Sequence, residues 1–472
     1  MADDDRYPLL WYTSGTPLVT GQTHCAMARY LGTHAGVHGT GYRRASTAVP
    51  LATGKAVHHG LQLILEWVQE YQTTHSGQRL IDIDPAVLAW GASEAADHYA
   101  RVARARGLIL SPGDLDTPAA VETLILEQKT LVEALVWIYG LARLPHMLAT
   151  HRVLSIEHEE APVLDCSCSL GDWIGRDVDH AARGCHGIVA QARTDVLWEH
   201  VDDGTIVYEE FKTKSSPRKE WEDLWTVSGQ LLLNMEAASR RLGQSVNTAF
   251  VPVLYKGWRG RDRGAPPTEP KYQHSPLCYG WYDAGNPPLR EPNWASRYEW
   301  TDAYTGKKHR LGGTFRRTPI WDENYPLPSL RDGASRVENW IRTQIVEDQI
   351  GGLITTLGPF PRPVLRVPDA IQALLVEERR WRQIVSWLRE NRAWEASHAL
   401  VPQVVSRSWN CFRYAGTCEF KPICDKDPGW EDMEAMDRFV RRRPHHAPEA
   451  AAVEAMGVEL PADEDEDDEG DE

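Results

Sequence analysis

With 472 residues, 67 Asp plus Glu against 51 Lys plus Arg and a formal charge of −16, the chain is acidic, which excludes a generally basic nucleic-acid coat. Residues 463–472 hold nine of those acids and no base, leaving −7 over the other 462; a run like this repels itself and buries nothing, so it reads as a disordered tail. A hydrophobic content of 42% is ample for a core, and the length allows two or three units or one large elaborated domain.

The opening MADDDRY is acidic where a secretory signal would be basic, and no stretch approaches the roughly 18 consecutive apolar residues of a membrane span. The expectation is a cytoplasmic protein, in the host cytoplasm if virus-encoded, with no membrane partner. In a reducing compartment Cys25, Cys166, Cys168, Cys185, Cys278, Cys411, Cys418 and Cys424 are poor disulfide candidates and better metal or cluster ligands.

In chain order, residues 55–71 place Val57, Leu61, Leu65 and Val68 at helical spacing, and further helical patterns follow at 86–106 and 119–142. The pattern then changes. Residues 187–201 and 205–213 are rich in β-branched and aromatic side chains, with a hairpin turn signal, Asp202-Asp203-Gly204, between them. Ser216-Pro217 can open a helix over 217–242, and 246–257 reads as a further strand. Residues 258–330, rich in Gly, Pro, Trp and Arg, read as an irregular insertion. Two more helices are predicted at 334–350 and 368–395, ahead of a cysteine-rich segment. No internal repeat is visible.

The hairpin carries the chemistry. A two-residue type I′ turn at Asp203-Gly204 would pair Asp202 with Thr205 and set Asp195 opposite Lys212, with Glu210 on the same face. A one-residue slip would move Asp195 to the other face. Two carboxylates and an ammonium on one patch suit Mg2+ or Mn2+, with Lys212 orienting or helping to deprotonate an attacking water; this is equipment for phosphodiester hydrolysis. The competing reading is an exposed hairpin with a cross-strand Asp–Lys pair, which contributes little.

Asp195, then Glu210-Phe211-Lys212, resembles the core signature of the PD-(D/E)XK nuclease superfamily. Gly54 to His58 (GKAVH) resembles the Gly-x-x-x-His element of RecB-like members, and Gln230 falls where such members carry Gln-x-x-x-Tyr, although Asn234 stands in place of the Tyr. The resemblance implies an α/β fold with a restriction-endonuclease-like core, a mixed sheet flanked by helices. It implies metal ligation by His58, Asp195 and Glu210, and catalytic roles for Asp195, Glu210, Lys212 and Gln230. His58 would favour tolerance of Mn2+; Gln230 would position Lys212 or the substrate. Glu157 and Glu159 are candidates for a further acid on an adjacent strand. Asp177 and Asp179 mimic the approach to a catalytic Asp, but no acid-x-Lys follows at hairpin distance.

One cysteine before the His helix, Cys25, and three after the core, Cys411, Cys418 and Cys424, resemble the layout of the iron-sulfur RecB-like nucleases. That group includes the AddB nuclease domain, CRISPR adaptation nucleases and bacteriophage exonucleases, in which a 4Fe-4S cluster is a structural staple. Zinc on the same four thiolates is the alternative. Cys166, Cys168 and Cys185, with His180 and His186, are candidates for a second metal site, or else small buried residues.

The resulting division is an N-terminal segment with the first cluster cysteine and the His helix (1–71), a helical insertion (72–150), the nuclease core (151–257), the irregular insertion (258–330), C-terminal helices with the cysteine triplet (331–440) and the acidic tail (441–472). The expected partner is DNA, single-stranded or with free ends, together with a recombination-complex protein. Basic contacts are expected from 255–263, where Trp258 is interleaved with charge, from 306–310 with Arg316 and Arg317, and from Arg441 to Arg443; ordinary solvated surface is the competing reading. The tail could mimic nucleic acid. The leading expectation is a metal-dependent DNA exonuclease. A non-cleaving DNA-binding subunit of a recombination or repair complex and a zinc-stabilised endonuclease are the alternatives.

Overall fold

The computed structural model describes residues 11–14, 25–35, 41–75, 83–109, 118–160, 163–165, 188–214, 220–226, 228–256, 258–259, 272–273, 298–301, 308–311, 345, 353–362, 367–393, 398–405, 418, 420–427, 430–433, 436, 438–443, 450–451 and 453–454. The helices used below are α1 (Ala26–Thr33), α2 (Val49–Thr74), α3 (Pro85–Arg106), α4 (Pro118–Ala142), α5 (Gly229–Leu242) and α6 (Val367–Glu390). The principal strands are β1 (Trp11–Ser14), β2 (His151–Glu160), β3 (Val163–Asp165), β4 (Ile188–His200), β5 (Ile206–Glu209), β6 (Lys212–Lys214), β7 (Val246–Tyr255) and β8 (Ile354–Pro361).

The architecture is mixed α/β. The principal sheet runs β1-β4-β5-β7-β8, with β2 and β3 also paired to β4 and β6 to β7. Its ladders are mixed: β1–β4, β5–β7 and β6–β7 are parallel, whereas β2–β4, β3–β4, β4–β5 and β7–β8 are antiparallel. Both faces are covered where the strands are central, so Ile206–Glu209 and Val251–Tyr255 are buried residue after residue rather than in alternation. Val196, Trp198, Val207 and Phe211 pack with α2, α3 and α4; Leu197, Ile206 and Tyr208 pack with Leu231, Met235 and Ala238 of α5. Burying both sets is the main driving force for assembling the layers.

The helix expected over 55–71, α2, begins earlier than its apolar spacing suggests. Val49 and Pro50 open it, because Pro is tolerated where the first N–H groups lack partners, and Val57, Leu61, Leu65 and Val68 lie fully inside. Asp84 caps α3 by accepting from Ala86 N–H at 2.9 Å. The predicted helix over 217–242 is instead two helices, Glu220–Thr226 and α5, with the Ser228 side chain accepting from Leu231 N–H at the start of α5. The proposed cap at Ser216-Pro217 lies outside the described residues, as do the 334–350 helix apart from residue 345, Asp177 and Asp179.

Helices α2 and α3 approach until backbone meets backbone. A Cβ at Gly60 would lie 2.6 Å from Ala95 Cβ and 2.7 Å from Gly91 O, and one at Gly91 would lie 2.5 Å from Ile64. The region 72–150 therefore shares one apolar core with the sheet. Within it, Leu124–Leu148 is long and apolar enough by composition to cross a membrane, but 67% of its most apolar window is buried inside the protein.

A second apolar cluster joins the two ends of the chain. Met27, Tyr30 and Leu31 of α1 pack with Leu374, Trp381 and Val385 of α6 and with Phe420, Ile423 and Phe439. The short strand Phe439–Arg441 pairs antiparallel with Tyr42–Arg44, which places part of the Arg441 to Arg443 run. Arg29 is 2% exposed and donates to both carboxylate oxygens of Glu378 at 2.7 Å, under the ring of Trp381.

Candidate metal-dependent active site

The hairpin register differs from the expected one. Val196 pairs with Glu209 and Leu197 with Tyr208, while His200 N–H donates to Thr205 O, so four residues, Val201 to Gly204, make the turn. A type I′ turn needs two central residues with positive φ, and only Gly204 has one, at +71°. The Asp203 carboxylate accepts from Thr205 N–H at 2.9 Å, holding the wider turn. The slip is two residues, and a period-two strand keeps its faces through such a slip, so the expected patch survives. Asp195 now projects toward Glu210 and Phe211 instead of standing opposite Lys212. The strand expected over 205–213 is also broken at Glu210-Phe211, where Glu210 N–H turns to Phe250 O on β7.

At that break Phe211 presents both backbone groups to the site. Its N–H donates to Asp195 Oδ2 at 2.5 Å, and its carbonyl lies 3.0 Å from His58 Nε2. With Nε2 carrying the proton on that carbonyl, Nδ1 is the ring nitrogen directed at the acids. It lies 3.6 Å from Asp195 Oδ1 and 3.6 Å from Glu157 Oε1. Glu157 sits on β2 between the pairs Ile156↔Val196 and His158↔Thr194, hence beside Asp195, and holds a left-handed backbone at φ +43°. A non-glycine residue in that region is strained, a feature concentrated at functional sites. Its second oxygen is held by Arg193 Nε at 2.9 Å.

One donor atom each from His58, Glu157 and Asp195 lies within 4.8 Å of the other two. A divalent ion with bonds of roughly 2.0 to 2.3 Å spans donors about 4 Å apart, so two carboxylate oxygens and one imidazole suit Mg2+ or, better, Mn2+. The opposite atoms of two of these side chains are hydrogen-bonded to Phe211, His58 Nε2 to its carbonyl and Asp195 Oδ2 to its N–H, while Glu157 Oε2 is ion-paired with Arg193.

Charge at the site is tightly balanced. Burial works against the His58 cation, but Asp195 and Glu157 outweigh it and raise the pKa to about 10. Burial also pushes the Asp195 carboxyl up, yet His58 and Lys212, with the Phe211 N–H, bring it below the usual carboxylate range. Glu210 is pushed up, first by burial and then by Asp195. Lys212 is opposed by burial but held charged by Glu210 and Asp195.

Glu210 is not among the converging donors. It is 1% exposed, and its carboxylate accepts from Lys212, Tyr208, Gln230 at 2.7 Å and Asn234 at 3.5 Å. Glu210 is expected from the sequence beside His58 and Asp195 as a metal ligand; in the structure the acid that converges with those two is Glu157, and Glu210 is surrounded by donors. Gln230 does reach the site. Asn234 donates to Tyr208 OH at 2.8 Å and to Arg193 O at 3.0 Å, which ties the helix to the strand beside Glu210.

The spacing of Gly54 and His58 has a physical reason. One helical turn apart on α2, Gly54 faces Thr213, whose Oγ1 would lie 3.2 Å from an added Cβ, and His58 faces the carbonyl of Phe211. Beneath the site lies Glu209, fully buried and not singled out from sequence. It accepts from Tyr139 OH at 2.9 Å, Trp198 Nε1 at 3.0 Å and Arg143 Nε at 2.6 Å, and Tyr139 packs edge-on against Phe211. The only sequence signal for it was its place beside Glu210 in a strand otherwise apolar.

Cys25, Cys418 and Cys424 are half-buried and pack against the same apolar cluster at the junction of the chain ends. Cys411, Cys166, Cys168, Cys185, Cys278, His180 and His186 lie outside the described residues, as do residues 306–307, Arg316, Arg317 and 463–472. No family model matches the chain, and no curated protein matches it.

Proposed function

We propose that the chain is a metal-dependent DNA nuclease, an exonuclease hydrolysing phosphodiester bonds on a PD-(D/E)XK core of the RecB-like, iron-sulfur type. The observation that carries this reading is the convergence of His58 Nδ1, Glu157 Oε1 and Asp195 Oδ1, with His58 and Asp195 held by the Phe211 backbone and Glu157 ion-paired with Arg193. A hard divalent cation bound there would supply charge stabilisation at a phosphate oxygen and acidify a water. Lys212, an ammonium beside Glu210, keeps donors for that water or a phosphate oxygen and offsets the negative charge of the patch. Glu210, Gln230 and Tyr208 position Lys212. Phe211 fixes Asp195 and His58 relative to each other through the backbone of one residue.

The proposed cluster rests on the family resemblance; Cys25, Cys418 and Cys424 each pack against the same apolar cluster. Thiolates suit an iron-sulfur centre there, and its role would be to staple the chain ends. Anaerobically purified protein incubated with end-labelled DNA tests the nuclease reading: degradation that requires Mg2+ or Mn2+ and vanishes in Asp195→Ala supports it, and metal-independent or absent degradation contradicts it. Iron and acid-labile sulfide in equal amounts, lost together in Cys418→Ala, support the cluster. Zinc in their place contradicts it.

A further inference from the structure

Arg193 lies two residues before Asp195 on β4 and so projects from the same face of the strand. Its backbone is fixed: the carbonyl accepts from Asn234 at 3.0 Å, and the residue pairs with Glu159 across the β2–β4 ladder. The guanidinium is held less firmly. Nε lies 2.9 Å from Glu157 Oε2 and Nη1 4.0 Å from Glu159 Oε1, and the side chain is 36% exposed. The other oxygen of Glu157 is the one 3.6 Å from His58 Nδ1, so a single carboxylate separates the guanidinium from the converging donors.

Neither contact is a hydrogen bond. Glu157 Oε2 is buried and accepts none among the described residues, although the guanidinium stands beside it, and Glu159 is beyond hydrogen-bonding distance. The five N–H donors of a permanently charged, partly exposed group are thus uncommitted among the described residues. An arginine that served to anchor Glu157 would be aligned on it, as Arg29 is on Glu378, where both carboxylate oxygens accept at 2.7 Å. A planar cationic fork with donors to give, one carboxylate away from a site for a hard cation, matches a phosphodiester, which carries a second non-bridging oxygen for it.

We infer that Arg193 is a substrate-binding residue, donating to a non-bridging oxygen of the phosphodiester seated at His58, Glu157 and Asp195. This rests on the nuclease reading above. Glu157 and Glu159 share the guanidinium until the strand arrives, and the phosphate then takes its donors. The contact places the strand over the site without reading bases, since phosphate contacts carry no sequence information.

The test is binding of a fluorescent single-stranded oligonucleotide to the full chain across a salt series with Ca2+, which takes oxygen ligands but acidifies its waters less than Mg2+ or Mn2+, on a strand shown intact by gel electrophoresis. Arg193→Gln should bind about tenfold more weakly at low salt, with the slope of log affinity against log salt reduced by about 0.7, the value for one lost phosphate contact on a single strand. Arg193→Lys keeps the charge and should keep the slope. Mn2+ affinity without DNA, read by electron paramagnetic resonance, should stay within about threefold of wild type in Arg193→Gln, because a partly exposed ion pair contributes little. Thermal melting checks folding, and Arg193→Met, which keeps the apolar stem, carries the test if Arg193→Gln does not fold. A loss of Mn2+ affinity of about tenfold or more would mark Arg193 as an anchor for Glu157 and overturn the inference, as would DNA binding equal to wild type in strength and slope. Either result leaves the nuclease reading intact if wild type degrades DNA. Wild-type protein that neither binds nor degrades DNA overturns both.

Discussion

Phe211 N–H donates to Asp195 Oδ2 at 2.5 Å from a break between two strands, and the carbonyl of the same residue lies 3.0 Å from His58 Nε2. The break aligns an acid and an imidazole through backbone geometry, so no long side chain has to be ordered to do it. Asp195→Asn keeps an acceptor for that N–H while removing the charge. It should cut Mn2+-dependent DNA degradation by at least about 100-fold, and it should lower the melting temperature of the metal-free protein at neutral pH because the His58 cation loses its main partner. Activity within a few-fold of wild type would remove Asp195 from the chemistry.

Glu157 should matter as much as the hairpin acids. Glu157→Gln weakens one of the three converging donors and should raise the Mn2+ concentration for half-maximal cleavage by about 10-fold or more. Glu159→Gln, one pleat away at the outer end of Arg193, should leave it nearly unchanged. Equal effects of the two would show that Glu157 has no privileged place.

The pH dependence follows from His58. A histidine whose folded pKa of about 10 stands above its unfolded value of about 6.5 stabilises the metal-free fold in full below pH 6.5 and loses that contribution as pH rises toward 10. Metal-free wild type should therefore lose melting temperature between about pH 6.5 and 10, and His58→Gln should lack this loss. Mn2+ competes with the same proton, so its apparent affinity should rise with pH over that window. A flat melting profile matching that of His58→Gln would contradict the ion triad.

Arg29 and Glu378 lie 349 residues apart in sequence and are almost wholly buried together. Removing one partner strands a buried charge, so Arg29→Ala should lower unfolding free energy by about 3 to 5 kcal/mol in denaturant titration. Arg29→Met with Glu378→Met should recover most of that loss, because apolar replacement of both partners removes the desolvation cost. A single variant as stable as wild type would show that the junction does not depend on this pair.

Gly60→Ala should cost about 1 to 3 kcal/mol, since its Cβ would fall 2.6 Å from Ala95 Cβ and 2.7 Å from a backbone oxygen that cannot rotate away. Denaturant titration reads it. No loss would mean that α2 and α3 separate more easily than their packing implies.

Much of this was legible from sequence for a stated reason. The helices show through because Val57, Leu61, Leu65 and Val68 repeat at helical spacing and are buried as that spacing requires. The shared face of Asp195, Glu210 and Lys212 survives a wrong turn type because the error was an even number of residues. The choice between Glu157 and Glu159 was not legible: it depends on the β2–β4 register, which shifts between Val153 and Ser155. Nor was the role of Glu210, since a carboxylate ringed by Lys212, Gln230, Tyr208 and Asn234 reads in sequence like any other acid-x-Lys. Glu209 was hidden for a related reason, as its partners Tyr139 and Arg143 come from the end of a helix, and the turn after it, far away along the chain.

The most direct measurement is Mn2+ titration of metal-free protein by electron paramagnetic resonance, with spin-echo detection of coupled nitrogen. Saturable binding of one ion per chain, with a nitrogen coupling that disappears in His58→Gln and binding that collapses in Asp195→Asn, is the expected result. Absence of saturable binding, or binding indifferent to both substitutions, would contradict the metal site from which the proposed activity follows.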